Sequence, residues 1–241
     1  MLTLRRVFCL SPGEVRHLLD TLNVDAGWQA VSACESVLGT SSYLSSGSAA
    51  YRLAAANTNP ILSSRYGWLY DRLLAVLEPV LRAAWDVPLR YAEACGLPGF
   101  VSLSDGDARE RWAGAHCDYN VFYSIGWDPP IVPDSDRCAS FTLPICLPMA
   151  GTGLLYWDGV SRDQIALAAA RSGQSLSAVG EAIARKKQPR FVSYRAGELV
   201  VHSGQVLHDI PSWQRTVGTT EVRLTLQGHA VVHGDAWQIF W

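Results

Sequence analysis

The residues whose types and spacing could do chemistry lie in three short stretches: Ala115-His116-Cys117-Asp118-Tyr119, Val206-Leu207-His208-Asp209-Ile210 and Arg223-Leu224-Thr225. Alternate residues of a β-strand share a face, so His116 and Asp118 point one way and Cys117 the other. An imidazole beside a carboxylate supplies two legs of a metal site. One more imidazole would complete a facial triad, which holds one side of an octahedral ion and leaves three positions open. That arrangement suits non-haem Fe(II) and oxygen chemistry. Among the six histidines, His17 falls on an amphipathic helical pattern and reads as structural, whereas His202 and His208 both follow apolar strand patterns. An isolated H-x-D is common by chance. The specific signal is the order: H-x-D, a long gap, a second His near a strand end, then R-x-T on the next strand.

That next strand is unusual in itself. Arg223, Thr225, Gln227 and His229 alternate with Val222, Leu224 and Leu226, so one face is wholly polar and the other apolar. The polar face lies either in solvent or on the floor of a wet pocket. In a pocket, the planar fork of Arg223 matches a carboxylate bidentately and keeps its charge. The Thr225 hydroxyl adds one more donor.

The run from Gly197-Glu198-Leu199-Val200-Val201-His202 through Val206-Leu207-His208-Asp209-Ile210-Pro211 resembles the Fe(II)/2-oxoglutarate-dependent dioxygenases, and the likeness covers roughly residues 98–232. Members run from a Gly-acidic apolar strand through a turn to an iron-binding His, then an Arg-x-Ser/Thr that grips the far carboxylate of 2-oxoglutarate. The resemblance implies His116, Asp118 and His208 as the metal ligands, with His202 beside them. It implies Arg223 and Thr225 as the 2-oxoglutarate grip, with O2 as the oxidant and succinate and CO2 released. One departure is the spacing of fifteen residues from His208 to Arg223, which a longer hairpin over Ser212–Thr220 accounts for. Halogenases of this type leave the carboxylate position vacant for halide, so Asp118 disfavours halogenation. Hydroxylation of a small molecule, amino-acid-like or a natural-product intermediate, is the leading expectation; desaturation, epoxidation and ring formation use the same triad.

The bulk properties agree. Half of the 241 residues are apolar and 17% charged, so a sizeable core is assured. A net charge of −2 without a basic stripe disfavours nucleic acid as partner. No apolar run reaches the ~18 residues of a membrane span, and the start lacks a cleavable leader pattern; a cytoplasmic protein is expected. The six cysteines are scattered without C-x-x-C and read as reduced, packed thiols.

The elements that must position these residues follow from periodicity. Ser11-Pro12-Gly13-Glu14 is a capping box opening a helix. Residues 24–58 carry no regular pattern, and a long helix is expected from Asn59-Pro60 to Trp85. Strands are expected over Pro88–Ala94, Phe100–Ser104, His116–Ser124, Phe141–Leu147, Gly151–Gly159, Phe191–Tyr194, Glu198–His202, Val206–Ile210, Glu221–Gln227 and Ala230–Val232. Pro144 marks its strand as an edge or a bulge. A helical pair over 161–187 reads as an insertion that shapes substrate choice. Trp112 and Trp127 flank the ligand stretch and are candidates to line the substrate space. The whole predicts a single domain over 1–241, mainly β with flanking helices. A helical buttress over about 1–95 would brace a double-stranded β-helix, the jelly-roll or cupin-like barrel, over about 96–241.

Two other functions remain open at this stage. A jelly-roll binding module would make the triad coincidental or a structural ion site, but structural zinc wants four ligands, commonly with sulfur. A metal hydrolase would need a general base that the motif does not offer.

Overall fold

The structure is a computed structural model that describes residues 2–104, 114–118, 125–128, 130–131, 137–149, 151–211 and 221–241. The Gly106–Gly114 turn (apart from Gly114), residues 119–124 of the expected ligand strand, most of the 129–136 loop, the 212–220 hairpin, Trp112, Trp213 and Arg215 lie outside the described residues. Twelve strands and four α-helices are described: β1 (Arg5–Phe8), α1 (Pro12–Asn23), β2 (Gln29–Ser32), β3 (Glu35–Leu38), α2 (Ser48–Arg82), β4 (Leu89–Tyr91), β5 (Gly99–Leu103), β6 (Cys138–Cys146), β7 (Gly153–Ser161), α3 (Arg162–Ser172), α4 (Leu176–Lys186), β8 (Arg190–Ser193), β9 (Glu198–His202), β10 (Val206–Asp209), β11 (Arg223–His233) and β12 (Ala236–Phe240). A short 3-10 turn, Ser42–Leu44, precedes α2.

The fold is mainly antiparallel β, a jelly roll with flanking helices. A large sheet runs β1-β9-β6-β11-β5-β3-β2, with β12 and β4 attached beside β11, and a small sheet runs β10-β7-β8. The large sheet's outer face is dry. Along α2, Leu62, Tyr66, Leu69, Leu73, Leu77 and Leu81 recur every three or four residues and are all buried, the single stripe an amphipathic helix presents to a core. They pack with Leu18 and Leu22 of α1 against Phe100, Phe141, Leu143, Leu224 and Leu226 of the sheet. At ~1.5–3 kcal/mol for each buried large apolar side chain, this layer carries much of the stability. The expected α1 capping box is present, Ser11 Oγ accepting from Glu14 N and Glu14 Oε2 from Ser11 N.

Three expectations need correction. Helix α2 begins at Ser48, not Asn59, because an alanine-rich segment carries the helix through Pro60 while Tyr51 and Ala55 extend its buried side; the irregularity falls at Tyr66 (φ −122°, ψ 18°). Of the two readings of Pro144, the irregularity holds and the edge does not: it lies in β6 between β9 and β11, at a register shift where Leu224 and Thr225 face Cys146 and Pro144. The two last strands expected are one, β11, which pairs with β5, β6 and β12. The ligand stretch contributes only a bridge at His116 in its described part.

The helical pair α3–α4 covers the back of the small sheet rather than a mouth. Ile165, Ala169 and Val179 pack with Trp157, Val160, Leu207 and Ala115, the residue before His116, so the pair braces the stretches that carry His116 and His208. Leu207 is fully buried there. Leu207→Ala is expected to cost about 2–5 kcal/mol of unfolding free energy, read from the urea midpoint; a loss under ~1 kcal/mol would show that this layer is not packed.

Candidate metal centre

The triad is assembled by backbone pairing. His116 N donates to His208 O at 2.8 Å and His208 N donates to His116 O at 2.9 Å. Two residues that exchange both bonds project their side chains to the same side of the ladder, which sets the two imidazoles side by side with centroids 4.6 Å apart. Asp118, two residues on, is tied by its N–H to Gly204 O at 2.8 Å. Its carboxylate oxygens lie 3.6 Å from His116 Nε2 and 3.3 Å from His208 Nε2. One ligand atom from each of the three falls within 4.8 Å of the others, the one such metal-competent group among the described residues.

The ring tautomers follow from the second nitrogens. His116 Nδ1 lies 2.8 Å from Gly114 O and His208 Nδ1 2.8 Å from Val206 O. A carbonyl only accepts, so both Nδ1 atoms carry a proton and both Nε2 atoms face Asp118, where each meets the carboxylate through a second proton or, without it, turns a lone pair to a cation, the arrangement that orients imidazoles for a metal. Burial works against the Asp118 charge, but His208 and His116 hold its carboxyl well below the usual range. The His116 imidazole is raised, burial being outweighed by Asp118.

His202 stands beside this group without joining it. Its ring centroid is 4.6 Å from that of His208, its Nδ1 is anchored to Ser203 O at 3.0 Å, and burial with the neighbouring His208 pulls it down to about 3. It is therefore a neutral imidazole at the rim of the triad. Cys117 packs into the apolar layer under α3–α4, away from the triad, and burial lifts its thiol to about 12.

The polar face of β11 is the inner one. Arg223, Thr225 and His229 are buried, and Leu224 and Leu226 on the other face enter the helical core. Gln227 pairs with Thr142 and His229 with Ser140 on β6. These four residues, with His202, Tyr194, Leu154 and Ile210, line the cavity at the triad, which holds about 50 Å³ of free space. Arg223 and Thr225 share this face but lie further along the strand and do not line the cavity as it stands. They connect to it through neighbours: Arg223 Cζ is 5.6 Å from the Tyr194 ring centroid, and Gln227 Nε2 donates to Thr225 Oγ1 at 3.0 Å. Arg223 is 0% exposed, and none of its three guanidinium nitrogens has a hydrogen-bond partner among the described residues. Burial lowers its pKa from the ordinary value, with Tyr194 opposing. Burying a guanidinium away from carboxylates is costly, and the Tyr194 side chain beside it offsets part of that cost.

Tyr43 and Ser140 were not anticipated. From the 3-10 turn, Tyr43 Oη reaches to 2.9 Å from His229 Nε2 and 3.4 Å from Asp118 Oδ1, and His229 Nδ1 lies 3.0 Å from Ser140 Oγ. Burial pulls His229 down to about 4, so its imidazole is neutral. No periodicity marks residues 24–58; the only signal for Ser140 and His229 is a polar residue where a sheet interior is expected. Trp127 does not line the cavity but packs 5.5 Å from Phe240 in a side cluster.

No family model matches the sequence, and no curated protein does. Solved structures do resemble it in fold. One is an N-substituted L-amino acid dioxygenase in complex with alpha-ketoglutarate, from Burkholderia ambifaria AMMD, with 16% identity over 99% of this chain and 86% of that one at a TM-score of 0.53. Another is the non-haem alpha-ketoglutarate-dependent carbocyclase SnoK from nogalamycin biosynthesis, with 13% identity over 100% of this chain and 92% of that one at a TM-score of 0.54. The chain thus has the jelly-roll fold of the Fe(II)/2-oxoglutarate-dependent oxygenases.

Proposed function

We propose that the protein is an Fe(II)- and 2-oxoglutarate-dependent oxygenase, with His116, Asp118 and His208 as metal ligands and Arg223 and Thr225 as the grip on 2-oxoglutarate. One observation carries this reading: two oriented imidazoles and a carboxylate converge on one point, and the same inner face holds a buried arginine without an acceptor among the described residues. Two nitrogens and one carboxylate oxygen suit Fe(II) with three open positions. A closed structural zinc site would want a fourth ligand and commonly sulfur, and Cys117 faces away.

With O2 as the oxidant and 2-oxoglutarate as the co-reductant that leaves as succinate and CO2, a bound Fe(II) would supply the chemistry that breaks a C–H bond. The chain's own residues bind and orient. Asp118 and the two Nε2 atoms present lone pairs without spending protons. Arg223 offers the fork that a carboxylate needs. Thr225 already accepts from Gln227, so its hydroxyl proton remains to be donated to the same carboxylate. Leu154, Ile210 and the tyrosines keep water from the reacting space.

The substrate is a small molecule, amino-acid-like or a natural-product intermediate. Among the described residues the cavity wall offers Ser140, Thr142, Gln227 and neutral His202, and no lysine or arginine. Hydroxylation is the expected outcome; with a dioxygenase and a carbocyclase among the folds it resembles, ring closure is the alternative within the same cofactor chemistry. The test is aerobic turnover with Fe(II), ascorbate and 2-oxoglutarate over a panel of such molecules. Succinate formed in step with an oxidised product is the expected result; no 2-oxoglutarate decarboxylation, even uncoupled, would sink the assignment.

A further inference from the structure

We propose that Tyr43, His229 and Ser140 form a directed hydrogen-bond relay that holds the Asp118 carboxylate so that it grips an ion through one oxygen. The proposal rests on the metal reading above and assigns three further positioning residues to that site.

The direction of each bond follows from counting protons. An ionised carboxylate only accepts, so the Tyr43 hydroxyl, 3.4 Å from Asp118 Oδ1, must donate its single proton there. Towards His229 Nε2, at 2.9 Å, the same oxygen can then only accept, which puts the imidazole proton on Nε2. A neutral imidazole carries one proton, so Nδ1 is bare and accepts from Ser140 Oγ at 3.0 Å. Every proton is used once, and the chain ends on the charged group.

The relay lies across the middle of the large sheet, where apolar side chains would pack at less cost. Ser140 and His229 face each other on paired strands β6 and β11 and are 4% and 6% exposed. A buried polar pair is costly unless it is satisfied, and here the satisfaction runs through Tyr43 to a proposed metal ligand. Tyr43 is held in place from the far end of the chain. Ser42 N donates to Trp241 O at 3.3 Å, Tyr51 Oη donates to the same oxygen at 2.5 Å, and the Trp241 ring lies on Gly99, where any Cβ would come within 1.9 Å of it. With Oδ1 engaged by Tyr43, Oδ2 on the His208 side is left for the ion. The 3.4 Å contact is longer than the ~2.7 Å of a settled hydroxyl–carboxylate bond, so the Tyr43–Asp118 link is the loosest of the three.

Co(II) titrated anaerobically into the metal-free protein tests this, because its visible absorption reports both affinity and ligand geometry without turnover. Tyr43→Phe should weaken Co(II) by about 10–100-fold, the usual cost of losing a partner of a metal ligand, and alter the band. His229→Leu should do the same, while His229→Gln, whose amide can still donate to Tyr43, should recover most of the affinity. The double variant Tyr43→Phe/His229→Leu should be no worse than either single one, since both break one chain. Wild-type affinity and an unchanged band in Tyr43→Phe, or losses that add in the double variant, would overturn the relay. Should His229→Leu fail to fold, Tyr43→Phe decides alone: Tyr43 is 45% exposed and loses only a hydroxyl. A wild-type protein that takes up no Co(II) would instead remove the metal site itself, and the relay with it.

Discussion

Asp118→Ala and His208→Ala are expected to lose Fe(II) almost completely, by more than the ~10–100-fold that follows loss of an outer partner, and with it all 2-oxoglutarate turnover. His202→Ala should keep the metal. The distinction matters because His202 and His208 lie six residues apart in sequence with ring centroids 4.6 Å from each other. His208 exchanges both backbone bonds with His116 and directs Nε2 at Asp118, whereas His202 lies outside the three-residue cluster. Iron retained in His208→Ala together with its loss in His202→Ala would reverse the assignment.

Arg223→Leu should produce two effects of opposite sign. Breaking a buried charge pair with a ligand typically costs about 2–5 kcal/mol, so 2-oxoglutarate should bind roughly 30-fold to several thousand-fold more weakly at 1.4 kcal/mol per tenfold. Iron affinity should hold. The ligand-free protein should become more stable, because the change removes a desolvated guanidinium with no acceptor among the described residues and puts an apolar side chain beside Tyr194. Arg223→Lys should recover only part of the 2-oxoglutarate affinity, a point charge being a poor copy of the fork. A structural arginine would behave in the reverse way, with stability falling and 2-oxoglutarate affinity unchanged. Thermal unfolding without ligand and a 2-oxoglutarate titration separate the two.

The parts of the site readable from sequence are those that local geometry dictates. His116 and Asp118 could be paired because strand alternation puts i and i+2 on one face, and the polar face of β11 because Arg223, Thr225, Gln227 and His229 keep that period through a run of leucines. The buried stripe of α2 was legible for the same reason at a period of 3.6. The tertiary relations were not. The turn that carries Tyr43 to Asp118 is tied to Trp241 by the Ser42 N–H, a contact between residues far apart in sequence that no local pattern encodes. The α3–α4 pair reads as an insertion in sequence, and only packing reveals that Ile165, Val179 and Leu207 place it behind the stretches that carry His116 and His208. Helix through Pro60 is likewise a case where burial of neighbours overrides a residue's own preference, whereas Pro144 sits at the irregularity that its missing N–H calls for.

The central claim is that His116, Asp118 and His208 hold Fe(II) with room left for 2-oxoglutarate. Anaerobic titration of Fe(II) and then 2-oxoglutarate, followed by visible absorption, tests it most directly. One Fe(II) per chain is expected, with a weak charge-transfer band that needs both components, persists in His202→Ala and is absent from Asp118→Ala and His208→Ala. A wild-type protein that binds no Fe(II), or the same band surviving in Asp118→Ala, would contradict the account.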